Sequence, residues 1–146
     1  PRGDPPGFVH VADSRTLLLP DRRGNNRADT LMNIVRDPRV SLLFLIPGIG
    51  ETLRVIGKAK IVVDKQLCQQ FEMQGKLPRS VMVLAVDKVY FQCQKALTRS
   101  QLWQAEAQVN RASLPTTGQM ISALDESFDG ESYDRSYAEY QKETIY

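Results

Sequence analysis

Two short apolar runs, residues 8–11 and 16–19, flank Asp13, Ser14 and Arg15, and turn-forming residues between apolar runs predict a β-hairpin. Residues 20–24 form a polar loop, beyond which Leu31, Ile34 and Val35 recur at helical spacing. Asn25 or Asn26 is placed to cap that helix, Asp29 suits the positive end of its dipole, and Pro38 ends it near Asp37. Residues 40–46 are almost wholly apolar and too few for an independent helix, so they predict a buried strand. After the turn residues Pro47, Gly48, Ile49 and Gly50, the apolar Leu53, Val55, Ala59, Ile61 and Val63 alternate with Thr52, Arg54, Lys58 and Lys60. A period of two is a strand with one wet face. Gly57, in its middle, marks a bulge or a close approach by another backbone or a ligand.

Asp64 predicts the cap of a short helix through Leu67, Cys68 and Phe71, with Gly75 as its C-terminal stop. Residues 80–93 are the longest strand candidate. Val81, Val83, Ala85, Val89, Phe91 and Cys93 line one face, and Met82, Leu84 and Val86 make the first half apolar on the other face as well. Burial on both faces predicts a barrel wall that a partner subunit also covers. Residues 95–103 predict a closing helical turn. Ser113, Leu114 and Pro115 then break the chain before an acidic, Tyr-rich tail whose Met120, Ile121 and Leu124 predict a docked helix followed by a partly mobile end. Antiparallel strands with two or three helices, and no βαβ alternation, predict a small barrel or α+β sandwich and disfavour a doubly wound nucleotide fold.

Composition narrows the function classes. At 146 residues the chain is sized for one domain, and 42% hydrophobic with 25% charged residues is ordinary for a soluble protein. No apolar run approaches the roughly 18 residues of a membrane span, so no membrane partner is expected. Cys68 and Cys93 are too far apart and too few for a zinc site or a disulfide framework, which makes a reducing cytoplasm the expected location and leaves no metal site expected. Both thiols are expected to be buried and inert. Net charge is only +2 but uneven, with arginines crowding the first third and carboxylates the tail. That points to a local anion site rather than to nucleic acid, whose binding domains are usually basic overall.

The segment from Pro20, Asp21, Arg22 and Arg23 through Gly24, Asn25, Asn26 and Arg27 carries the most chemistry. It delivers guanidinium and amide groups to a helix N-terminus, where unpaired N–H groups and the dipole favour an anion by about 0.3 to 2 kcal/mol each. Bidentate arginines shape such a site for a phosphate monoester. From the residues alone, a solvated capping loop with arginines paired to Asp21 and Asp29 stands beside that reading. His10, the only histidine, is expected to be a satisfied surface or interface imidazole without a role, and Tyr133, Tyr137, Tyr140 and Tyr146 are read as packing.

Several blocks then resemble one family. Pro1 to Asp4, residues 16–22 with Gly24, Asn25, Asn26 and Arg27, residues 37–44, residues 50–55 and residues 90–97 lie in the order found in an FMN-dependent branch of the pyridoxamine 5'-phosphate oxidase-like flavoproteins. The resemblance implies a mainly β chain, a six-stranded antiparallel split β-barrel with a few flanking helices over residues 1–112. Residues 113–146 are expected to form a helical, acidic tail packing on the same domain. It implies a homodimer with FMN in each of two interface clefts, and a first helix and strand of the family preceding Pro1. Arg2, Gly3 and Asp4 should line the flavin ring, with Pro20, Asp21 and Arg22 beneath it, and Asn25, Asn26 and Arg27 should hold the phosphate. Lys95, Arg99 and Trp103 are further candidates, reaching the cleft from the second subunit. The alternative for them is a solvated face for Lys95 and Arg99 and a core anchor for Trp103. Nothing after Trp103 resembles the Arg-Leu-His-Asp-Arg-like segment by which authentic pyridoxamine phosphate oxidases hold their substrate, so that reaction is not expected.

The leading expectation is an FMN-dependent oxidoreductase moving a hydride between a small-molecule substrate or nicotinamide donor and the flavin. A non-catalytic flavin- or haem-related binding or storage module is the alternative, since one barrel serves several roles. A flavin-free dimerisation domain with a surface arginine cluster is the third.

Overall fold

The computed structural model describes residues 1–24 and 27–145. β1 (His10–Asp13) and β2 (Thr16–Pro20) form the expected hairpin, whose turn is tied by the Arg15 backbone N–H donating to the Asp13 carboxylate at 2.7 Å. Helix α1 (Asp29–Arg36) buries Ile34 against the sheet, while Val35, expected on the same stripe, is exposed. Its N-cap is Ala28, and no side chain among the described residues caps it. The expected cap at Asn25 or Asn26 falls on residues outside the described ones. Asp37 leaves helical geometry ahead of Pro38, as expected, and β3 (Arg39–Phe44) follows at once.

β3 folds back on β4 (Thr52–Val62), and β4 pairs with β5 (Val81–Gln92) over its whole length. The ladder slips once, between Ile56 and Gly57, with Asp87 as the extra residue opposite. Both meanings of Gly57 are realised together: it sits at the bulge, and a Cβ there would overlap the Ala85 carbonyl oxygen. Helix α2 (Lys65–Gln69) is capped by Asp64, which accepts from the Leu67 N–H at 2.8 Å. It ends well before Gly75, however. Gln74 and Gly75, with φ of +51° and +74°, instead form a tight turn bridged by Met73 and Lys76, so Gly75 serves a turn rather than stopping the helix.

The five strands lie in one antiparallel sheet, ordered β1-β2-β5-β4-β3. Five strands are present where the resemblance implied six with the first helix and strand ahead of Pro1; the chain beyond β5 is helical, and β1 and β3 are the two edges. One face carries the main core of Leu19, Val55, Ala59, Met82 and Leu84 beneath Ile34 of α1. The other face packs Leu18, Val81 and Val83 against Leu67, Cys68 and Phe71. The double-sided burial of β5's first half is therefore met by α2 from the same chain and needs no partner subunit. The second half runs out from under these layers, leaving Val89 and Phe91 at 52% and 77% exposure and Cys93 exposed. The expected burial of Cys93 is corrected for that reason, whereas Cys68 is buried as expected.

Helix α3 (Lys95–Ser100) follows β5, and two 3-10 turns lead to α4 (Thr117–Ser122) and α5 (Gly130–Thr144). A capping box between Thr116 and Gln119 starts α4. The two helices meet where Gly118 and Gly130 touch backbone to backbone, with Asp134 accepting from the Thr116 hydroxyl and, at 2.9 Å, from the Gly118 N–H. Tyr133 stacks on Tyr137 and meets Phe128 at a tilt, each at 5.5 Å, as the packing reading expected of these two tyrosines; Tyr140 is exposed, which corrects that reading for it, and Tyr146 lies outside the described residues. No helix among the described residues is long and apolar enough to cross a membrane.

Candidate functional site

The end of β2 is where the predicted residues converge. Pro20 is buried opposite Val81 in the ladder, and the Asp21 N–H donates to the Ser80 carbonyl at 2.9 Å, so the chain leaves the sheet here in a defined direction. The N-terminal segment crosses this point and is clasped twice. Arg2 donates to the Asp21 carboxylate at 3.0 Å, and Arg22 donates through Nε to Asp4 at 3.1 Å. A second Arg22 nitrogen donates to the Phe71 carbonyl, tying in the segment after α2. The structure thus brings together Arg2, Gly3 and Asp4 with Pro20, Asp21 and Arg22.

The two pairs differ in environment. The Arg22 and Asp4 side chains are only 17% and 5% exposed, whereas Arg2 and Asp21 retain 32% and 20%. A buried pair adds little net stability but is costly to break from one side, because a lone charge then stays desolvated. Arg22 and Asp4 are therefore a scaffold that fixes the corner, and Arg2 with Asp21 is its wetter rim. The alternative read from the residues paired the arginines of the loop with Asp21 and Asp29; the arginine on Asp21 is instead Arg2, from the N-terminal segment, and Arg22 pairs with Asp4.

Downstream of this corner, Arg27 precedes the N-terminus of α1, whose first N–H groups meet no capping side chain among the described residues. Such groups, with the dipole, accept an anion. Asn25 and Asn26, the other expected phosphate ligands, lie outside the described residues.

Lys95, Arg99 and Trp103 sit elsewhere. They follow the far end of β5, 11 or more residues from Val81, which at about 3.3 Å per residue is over 30 Å from the corner. Trp103 donates its indole N–H to the Ile49 carbonyl at 2.8 Å and so pins the segment after α3 to the β3–β4 turn. At the same place a Cβ on Gly50 would meet the Gln94 side chain at 2.7 Å. Within one chain these three residues cannot share a small ligand with Arg2 or Arg22. His10 is exposed on β1 and stands edge-on to Phe71 at 6.2 Å. No group of metal-ligating side chains occurs among the described residues.

Two participants were not foreseen: the Phe71 carbonyl, and an Arg54 network across three strands in which Arg54 donates to Ser41 at 3.0 Å and to Gln92 at 3.2 Å. A backbone acceptor 49 residues away leaves no sequence signal. The alternation of β4 did place Arg54 on the wet face.

Comparison with known proteins bears on the whole arrangement. The family model for pyridoxamine 5'-phosphate oxidase matches residues 1–93, the stretch from the N-terminal clasp through the end of β5. Among solved structures, two crystal structures of HupZ from Group A Streptococcus are similar. One is of a substituted form, with a TM-score of 0.48 and 16% identity over 58% of this chain and 73% of that one. The other has a TM-score of 0.48 and 15% identity over 57% and 68%. No curated protein matches the chain. The family match covers well over half of the sequence and includes the corner, α1 and the entire sheet, and so the chain belongs to the pyridoxamine 5'-phosphate oxidase family.

Proposed function

We propose that the chain is an FMN-dependent oxidoreductase working as a homodimer, with the flavin held beside the corner at the end of β2. The observation that carries this reading is the clasped arginine corner, followed seven residues after Arg22 by the start of α1, where no side chain among the described residues caps the helix, in a chain whose family match spans both. The donor set suits a flavin phosphate: backbone N–H groups at the helix start, with Arg27 immediately before it and the amides of Asn25 and Asn26 alongside in sequence. Arg2, Gly3, Asp4, Pro20, Asp21 and Arg22 form the wall proposed to lie against the ring. The Arg22–Asp4 pair holds that wall in place, and Arg2 with Asp21 offers polar groups at its rim.

Bound FMN supplies hydride acceptance and donation. The chain's own residues bind and orient it and exclude water. Lys95, Arg99 and Trp103 enter the cleft in this reading from the second copy, since their own corner lies beyond reach. The exposed Val89 and Phe91, on the core face where β5 runs out from under α1, support an apolar surface for that second copy. The physiological substrate is a small molecule, with a nicotinamide cofactor as the proposed electron donor.

Thermal unfolding with FMN and with riboflavin tests the site. FMN raising the melting temperature while riboflavin leaves it nearly unchanged is the expected result, because only FMN carries the phosphate. Equal shifts, or none, would remove the helix N-terminus from the site. Bleaching of bound FMN by a nicotinamide cofactor, with sustained turnover on an acceptor, separates an enzyme from a binding module.

A further inference from the structure

The sheet face opposite the core carries, from the edge of the α2 layer outward, a row of cations among which Arg39, Lys58, Lys60 and Lys88 are exposed. Register places Arg39 opposite Lys58, Leu43 opposite Arg54, Ile56 opposite Lys88 and Lys60 opposite Val83, all on this face. Like charges directly across a ladder repel, and no position of β3, β4 or β5 on this face is a carboxylate. Asp37 answers Arg39 from the end of α1 and Asp87 sits in the bulge. Arg54 is aimed by Ser41 and Gln92, both neutral, so these partners fix its direction without cancelling its charge.

The chain also contains the complementary surface. Residues 125–143 hold seven carboxylates against Arg135 and Lys142. Asp134 is used inside the α4–α5 pair, whereas Glu139 and Glu143 lie one turn apart on the side of α5 turned away from Asp134, both exposed. Side chains four apart on a helix stand about 6 Å from each other. Diagonal neighbours on a sheet such as Lys58 and Lys88 are about 7 Å apart, so the two spacings match. In this chain α5 packs on α4, and the helix packed on β4 is α1.

We propose that the basic face of β3, β4 and β5 is the docking surface for the acidic α4–α5 hairpin of a second copy, with Lys58 and Lys88 facing Glu139 and Glu143. This contact is on the sheet face opposite the Val89 and Phe91 patch, so it stands or falls independently of flavin binding.

Zero-length carboxyl–amine coupling of the full chain at low salt tests it. A covalent dimer is expected on a denaturing gel, mapped by mass spectrometry to Lys58 or Lys88 joined with Glu139 or Glu143, and suppressed in about 1 M salt. In Lys58→Glu/Lys88→Glu the dimer yield should fall at least about fivefold. Adding Glu139→Lys/Glu143→Lys to that variant should restore it, with the same four positions coupled and donor and acceptor exchanged. Four outcomes would overturn the proposal: couplings at these positions found only within monomers, dimers mapped elsewhere, no rescue by the charge swap, or retention of nucleic acid by the wild type but not by the lysine variant.

Discussion

Arg22 and Asp4 are 18 residues apart, and the 3.1 Å ion pair between them is the most buried of the described charged contacts. It staples the N-terminal segment across the exit of β2 and makes the corner a fixed shape rather than two loose loops. Asp4→Asn should destabilise the fold by about 3 kcal/mol in urea unfolding, since Arg22 would be left desolvated without its counter-charge. Asp4→Leu combined with Arg22→Met should cost clearly less than either change alone. Additive losses would show that the two side chains do not act as a pair.

Gly57 makes a second prediction on a different physical basis. Gly57→Ala places a methyl group into the Ala85 carbonyl, which the β4–β5 ladder holds rigidly, and should cost about 3 kcal/mol. At Gly50 a methyl group would meet the Gln94 Oε1 at 2.7 Å and its Cβ at 2.9 Å; the amide can swing aside but the Cβ moves only with its backbone, so Gly50→Ala should cost about 1 to 2 kcal/mol, still less than Gly57→Ala. Equal losses in chemical denaturation would contradict the backbone clash.

Much of this architecture was legible in local pattern. The alternation of β4, the bulge at Gly57, the Asp64 cap and the stop at Asp37 and Pro38 each depend on neighbours within a few residues. The Thr116–Gln119 capping box had the same kind of signal, a threonine followed three residues later by glutamine ahead of an apolar pair, and was not drawn from it. What was not legible depends on distance along the chain. The pairing of Arg22 with Asp4, its bond to the Phe71 carbonyl, the Ile49 carbonyl beneath Trp103, and the exposure of Cys93 follow from where strands end relative to one another. The cover that α2 lends to β5 is of the same kind.

Asp37 titrates in a diagnostic range. Its carboxylate accepts from the Arg39 guanidinium and, next, from the Arg39 backbone N–H, which together lower its pKa from 3.8 to about 2. The folded value lies below the unfolded one, so the contribution of this group to stability is complete above about pH 4. It is lost as pH falls through about 2. Carboxyl-detected NMR should place the midpoint near 2 and move Asp37 back toward 3.8 in Arg39→Ala. A wild-type midpoint at or above 3.8 would exclude the contact in solution.

Arg27→Ala addresses the phosphate site directly. Loss of one charge-assisted contact of about 1.5 to 3 kcal/mol should weaken FMN binding tenfold or more, measured by quenching of flavin fluorescence. Riboflavin binding should change little. Lys95→Ala or Arg99→Ala should weaken FMN only in the dimer, because both residues lie at the far end of β5 from their own corner.

The absorption spectrum of the protein as purified, followed by identification of the released chromophore, tests the central claim most directly. A yellow protein releasing FMN in a ratio near one per chain is the result expected. A colourless protein that takes up no FMN when it is added would contradict the reading of the β2 corner and the start of α1 as a flavin site.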